Sequence, residues 1–208
     1  MNRNAGKILS WFRANMAGAK SELNFKNPYE LTVAVILSAQ CTDKRVNMVT
    51  PAFFRQYPDV YSLAAARIED VLELVKSISF PNNKAAHLLG MAKMVVEEFG
   101  GEIPSEVSQL ERLPGVGRKT ANVVASVVYG APVIAVDTHV FRVAHRLGFS
   151  DGKTPLEVEE DLNGIIPLEE RADAHHWLIL HGRYVCTARK PKCDECGVAG
   201  FCPSKKMM

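Results

Sequence analysis

The chain has 208 residues, with 25 Lys and Arg against 23 Asp and Glu, a formal net charge of +2 and 47% hydrophobic residues. It is long enough to bury a core without disulfides, and its composition excludes a disordered or low-complexity protein. The longest apolar run, Leu31 to Leu37, is too short to cross a bilayer and the N-terminus lacks a stretch of signal-peptide type, so the expected location is a reducing cytoplasm.

In chain order, Ile8, Leu9, Trp11 and Phe12 predict a short amphipathic helix, and Asn27-Pro28 caps and starts a strongly apolar helix running to Gln40. Asp43 to Tyr57 and Ile68 to Lys76 predict two more helices, and a long one runs from Asn82 or Asn83 to Phe99, stopped by Gly100-Gly101. Ser105 is placed to cap the helix leading into Leu113-Pro114-Gly115-Val116-Gly117, and Arg118 to Tyr129 forms the next helix, ended by Gly130. Asp137 reads as the N-cap of Thr138 to Leu147, Thr154-Pro155-Leu156-Glu157 as a capping box, and Leu168 to Tyr184 as a last helix. No segment alternates as a strand does, so the predicted fold class is all-α.

Two groups of residues carry chemistry. Gly115 and Gly117 can take the positive φ angles of a tight turn, and without Cβ atoms they let a phosphate approach their backbone N–H groups. Arg118 and Lys119 open the following helix at the positive end of its macrodipole, where a protonated lysine is disfavoured and a neutral, nucleophilic amine is easier to reach. Asp137 follows in Ala-Val-Asp-Thr-His. The second group is Cys186, Cys193, Cys196 and Cys202, separated by six, two and five residues. Four thiolates in so short a segment suit one metal centre, and by donor chemistry both tetrahedral zinc and an iron-sulfur cluster are admissible. Arg189, Lys190 and Lys192 lie between the first two cysteines, where a metal-anchored loop would present them to phosphates. Cys41, far from the quartet, reads as a small buried hydrophobe.

The stretch Leu113 to Ala121, with Asp137 and the cysteine quartet, closely resembles the endonuclease III family of DNA glycosylases, in the helix-hairpin-helix superfamily of base-excision repair enzymes. The likeness extends to Leu37-Ser38-Ala39-Gln40, to Val136 through Val143 and to His175 through Arg183. It implies two helical domains with a DNA groove between them: a helical barrel with the hairpin over about residues 22–132, and a cluster domain from residues 1–21 and 133–208. It implies a 4Fe-4S cluster on the four cysteines, which settles the metal choice. It also implies a monomeric, bifunctional enzyme acting on double-stranded DNA containing damaged bases or abasic sites. Such an enzyme removes oxidised pyrimidines and then cleaves 3′ to the abasic site by β-elimination. Lys119 would be the nucleophile and Asp137 its partner carboxylate.

Because a base inside a duplex is inaccessible, the resemblance also implies residues that fill the gap left by an extruded nucleotide. Gln40 matches that position, and Phe80 is the second wedge, in a segment Ser79-Phe80-Pro81-Asn82 that departs from the family's usual Gly, Leu or Phe, aromatic, Asn. Gly115, Gly117, Arg118, His139 and Arg142 join the basic loop as expected DNA contacts, and Glu111 and Asp43 are further pocket candidates. The alternatives are an adenine mismatch glycosylase and a non-catalytic DNA-binding module. The former resembles this chain but usually lacks the lysine and adds a C-terminal domain for which Cys202 to Met208 leaves no room; the latter would not need Lys119 and Asp137 together.

Overall fold

The computed structural model describes residues 2–207, and among these it contains eleven α-helices, short 3-10 turns and no strand, in keeping with the missing alternation. Packing divides the chain into two compact units, Ser21–Tyr129 and the flanking segments Met1–Lys20 with Gly130–Met208. No helix among the described residues is long and apolar enough to cross a membrane.

The central unit is built on α2 (Pro28–Ser38), in which every residue from Tyr29 to Leu37 is buried. A helix apolar all round needs neighbours on every side. They are α3 (Asp43–Gln56), α6 (Pro81–Phe99) and α8 (Arg118–Tyr129). Two short helices, α4 (Val60–Ala64) and α5 (Ile68–Val75), cover α6, and α7 (Val107–Leu110) leads to the hairpin and packs on α8. The start of α2 follows the sequence rule: Pro28 occupies the first turn and the Asn27 side chain accepts from the Glu30 N–H at 2.8 Å. Its end does not. The helix stops at Ser38 rather than Gln40, because the carbonyls of Leu37 and Ala39 are taken by the Lys84 ammonium and Gln40 turns to a left-handed φ of 53°.

Other boundaries shift for local reasons. Helix α6 begins at Pro81, earlier than expected, with proline in the first turn and Phe80 at the N-cap. Helix α4 is additional to the predicted elements, although Asp59 and Ser62 close a capping box at its start. Ser105 does not cap α7, whose N-cap is Glu106 without a side-chain bond.

The flanking unit gathers α1 (Ala5–Asn15), α9 (Thr138–Leu147), α10 (Pro155–Ile165) and α11 (Arg171–Tyr184), the last preceded by a 3-10 turn at Leu168–Glu170. Asp137 and Thr154 cap α9 and α10 as expected. Glu157, however, reaches back to the Lys153 N–H rather than to Thr154, so the capping box is displaced by one residue. Phe12, fully buried, stacks on Trp177 at 6.2 Å and meets the His181 ring edge-on at 5.3 Å, and Trp177 Nε1 donates to the Met16 carbonyl at 3.0 Å. These contacts bind the first helix of the chain to the last.

Candidate functional site

The hairpin takes its shape from one glycine rather than two. Gly115 has φ +80°, and a Cβ there would lie 2.8 Å from Cβ of His87 on α6, so the turn demands glycine on both conformational and steric grounds. Gly117 has no positive φ, and a Cβ built on it meets nothing within 4 Å. Its contribution is an unobstructed backbone at the surface. The Val116 side chain is buried and its N–H bonds to the Leu113 carbonyl at 3.0 Å, anchoring the turn from beneath. Arg118 and Lys119 follow as the first two residues of α8, both exposed. Lys119 thus stands at the N-terminal end of α8, the positive end of the helix dipole.

In the flanking unit, Asp137 is half-buried with an extended backbone, and it accepts from the N–H groups of His139 and Val140, each at 2.8 Å. Both bonds end on Oδ1, so the cap occupies one carboxylate oxygen of the two. His139 and Arg142 come next on α9, with Nδ1 of the imidazole 3.2 Å from the Arg142 guanidinium. Arg142 also donates to the carbonyls of Cys186, Gly182 and Thr138. Its guanidinium therefore ties α9 to the end of α11 and to the first cysteine.

The two expected wedge residues lie in one corner of the central unit. Gln40 and Phe80 are both exposed, and they are the only non-glycine residues with positive φ among those described, at 53° and 55°. A left-handed non-glycine residue is strained, and strain of this sort clusters where a side chain must be aimed. Phe80, 57% exposed, is not a core residue under its loop. Ser79 Oγ donates to the Gln40 carbonyl at 2.5 Å, joining the two turns. Glu111 is exposed at the end of α7 and Asp43 half-buried at the start of α3.

Cys186, Cys193, Cys196 and Cys202 line one cavity, together with Leu147, Val185, Ala199 and the basic Arg146 and Lys192. All four are free thiols. Burial pushes the Cys196 thiol up, and Cys186, Cys202 and Cys193 push it further, against one backbone hydrogen bond that lowers it. Cysteine binds a metal centre as the thiolate, so a cationic centre in this cavity would offset the cost of ionising Cys196. Among the described residues, no group of three or more His, Cys, Asp or Glu is disposed to hold a single metal ion. A cavity lined by four separate thiols suits a cluster in which each iron takes one cysteine.

Three further residues complete this region. Arg146 donates to Sγ of Cys186 at 3.4 Å and to the carbonyls of Thr187 and Ala188 at 2.7 and 2.9 Å, bracing the basic loop. Arg142 and Arg146, four apart on one helix, were the signal for this strut. His181 is buried, its pKa pushed down to about 4 by desolvation, and its Nε2 lies 3.8 Å from Sγ of Cys196. Gly197 lets the Trp11 ring seat against the loop, since a Cβ there would overlap the indole. Between the first two cysteines, Arg189, Lys190 and Lys192 are exposed, on a loop held by bonds from Lys192 N–H to the Val185 carbonyl and from Thr187 Oγ1 to the Lys190 carbonyl.

Comparison with known proteins agrees with this geometry. Residues 33–168 match the HhH-GPD superfamily of base excision DNA repair proteins, and residues 186–202, which begin and end on cysteines of the quartet, match the iron-sulfur binding domain of endonuclease III. Endonuclease III of Escherichia coli strain K12 is 44% identical over 200 residues, covering 96% of this chain and 95% of that protein. That of Bacillus subtilis strain 168 is 48% identical over 185 residues, covering 88% and 84%. Among solved structures, a non-covalent endonuclease III-DNA complex superposes with a TM-score of 0.94 at 41% identity, covering 100% of this chain and 97% of that one. A trapped endonuclease III-DNA covalent intermediate gives 0.89 at 42% identity, covering 98% and 95%. Hairpin, cysteine segment and relatives spanning almost the whole chain lead to one conclusion: this protein belongs to the endonuclease III family of base-excision DNA repair enzymes.

Proposed function

We propose that Lys119 is the nucleophile, and Asp137 its carboxylate partner, of a bifunctional DNA glycosylase and abasic-site lyase whose damaged bases are oxidised pyrimidines. The protein is a base-excision enzyme of double-stranded DNA with a 4Fe-4S cluster as its cofactor. The observation that carries the residue assignment is Lys119 itself, an exposed amine on the first turn of α8, directly after the glycine turn at Gly115.

The chemistry then runs in two stages. Neutral Lys119 attacks C1′ of the damaged nucleoside; the glycosidic bond breaks and the base leaves, taking a proton. Opening of the sugar ring breaks the C1′–O4′ bond, the remaining amine proton passes to O4′, and an imine is left between Nζ and C1′. The imine acidifies the C2′ proton, whose removal expels the 3′ phosphate by β-elimination, and water then releases Lys119. Asp137 stabilises the positive charge that develops on the sugar and accepts the amine proton. The oxygen of Asp137 not used in capping α9 is the one assigned to this work.

Around this centre, Gly115, Gly117 and Arg118 hold a phosphate, while Gln40 and Phe80 fill the space left by the extruded nucleotide. His139, Arg142, Arg189, Lys190 and Lys192 contact the DNA backbone. Cys186, Cys193, Cys196 and Cys202 are the ligands of the cluster, which cross-links the end of the chain and stiffens the basic loop without entering bond cleavage. The domains of the enzyme are proposed as residues 22–132 for the barrel and residues 1–21 with 133–208 for the cluster domain.

Borohydride reduction during turnover of a duplex carrying an oxidised pyrimidine tests the assignment. A covalent protein–DNA adduct is expected with the natural chain and absent with Lys119→Ala. An adduct that survives the substitution, or none with the natural chain on any lesion or abasic site, overturns it.

A further inference from the structure

Lys84 lies in the first turn of α6, yet its side chain is 4% exposed and its Nζ donates to the carbonyls of Leu37 at 2.8 Å and Ala39 at 2.6 Å. A lysine is badly placed there on two counts. The ammonium is desolvated, and it sits at the positive end of its own helix. Its partners offset this, because both carbonyls belong to the C-terminal end of α2, the negative end of that helix's dipole. The residue immediately beyond the second carbonyl is Gln40, held left-handed, and three residues before Lys84 in the sequence α6 starts from Ser79-Phe80-Pro81. The Gln40 carbonyl accepts from Ser79 Oγ. Two turns far apart in the sequence, each carrying one strained and exposed side chain, are thus fastened together by Lys84 from beneath and Ser79 from above. A helix end needing only a cap would take water or a glycine and would not bury an ammonium.

We propose that Lys84 is a positioning residue that locks the Gln40 and Phe80 turns into one preformed wedge, so that extrusion of the damaged nucleotide does not have to order either side chain. This rests on the reading that Gln40 and Phe80 enter the duplex. The free energy of ordering two exposed turns is spent on folding rather than on DNA binding, which raises the rate at saturating enzyme more than it raises affinity.

The test uses the full-length protein with its cluster and a duplex holding a tetrahydrofuran abasic analogue, which the amine cannot attack, with 2-aminopurine as the opposing base. Unstacking by the wedge raises 2-aminopurine fluorescence. Single-turnover cleavage of an authentic abasic duplex and affinity for undamaged duplex are measured alongside. Lys84→Met and Ser79→Ala are each expected to lower the fluorescence gain and to slow cleavage by about tenfold or more, with affinity for undamaged duplex unchanged. In a Gln40→Ala background, Lys84→Met is expected to add little further loss, because a residue acting through another is non-additive with it. Wild-type fluorescence and cleavage in folded Lys84→Met, or full additivity with Gln40→Ala, overturns the proposal. Should Lys84→Met not fold, Ser79→Ala decides by the same readouts. The underlying reading fails separately, and the proposal with it, if Gln40→Ala and Phe80→Ala both keep the natural signal.

Discussion

Asp137 caps a helix and is proposed to act in the chemistry through the same side chain, and the two roles can be separated. Oδ1 caps α9 by accepting two backbone N–H groups, a task that asparagine performs as well as aspartate. Only the carboxylate can balance positive charge on a sugar. Asp137→Asn is therefore expected to melt with the natural protein while single-turnover excision falls by about 10²-fold. Asp137→Ala should lose about 1 kcal/mol of stability as well. Thermal melts of both variants, set against their excision rates, check the division. Equal melting temperatures with equal activity for Asp137→Asn would remove the carboxylate from the mechanism.

Among the elements, the hairpin makes the sharper comparison, because its two glycines look alike in sequence and differ in conformation. Gly115 combines φ +80° with a Cβ position closed by His87, whereas Gly117 has neither restraint. Gly115→Ala is expected to destabilise the protein by roughly 1 kcal/mol or more and to weaken binding to an abasic duplex. Gly117→Ala should leave stability within about 0.5 kcal/mol. If Gly117→Ala nonetheless weakens binding, its backbone is where the phosphate comes closest. The first helix offers a second test. Phe12 is fully buried between Trp177 and His181, so Phe12→Ala opens a cavity costing about 3–5 kcal/mol. Because His181 also lies beside Cys196, that variant is expected to be purified with less iron and sulfide and a weaker visible absorption band.

For the molecule as a whole, the charge that matters is local. A net charge of +2 gives little attraction to DNA, yet Arg189, Lys190 and Lys192 are exposed together on a loop braced by Arg146 and anchored at two cysteines. Each phosphate that the protein no longer neutralises lowers the slope of log affinity against log salt by about 0.9, so replacing all three by alanine should reduce that slope by close to 3. A slope unchanged within error would mean that the loop does not meet phosphates. The same bonds tie the loop's order to the cluster. Removal of iron by a chelator is expected to lower both the salt slope and the melting temperature, read by equilibrium binding and by calorimetry.

The amino-acid order alone establishes the chemical inventory and most of the helices. The proposed lysine, aspartate and thiol quartet stand out in the sequence because the proposal rests on residue type and spacing together with the family resemblance. Asn27, Asp137 and Thr154 are legible as caps because a cap joins residues within one turn. Features whose partners lie far along the chain emerge only from the three-dimensional packing. Gln40 leaves its expected helix because the α2 carbonyls bond to Lys84, a partner 47 residues from Leu37. Gly115 needs glycine because of His87, and the stance of the basic loop depends on Arg142 and Arg146 from α9. A buried ammonium or a strained turn is stable only when distant groups satisfy it, and periodicity carries no record of those groups.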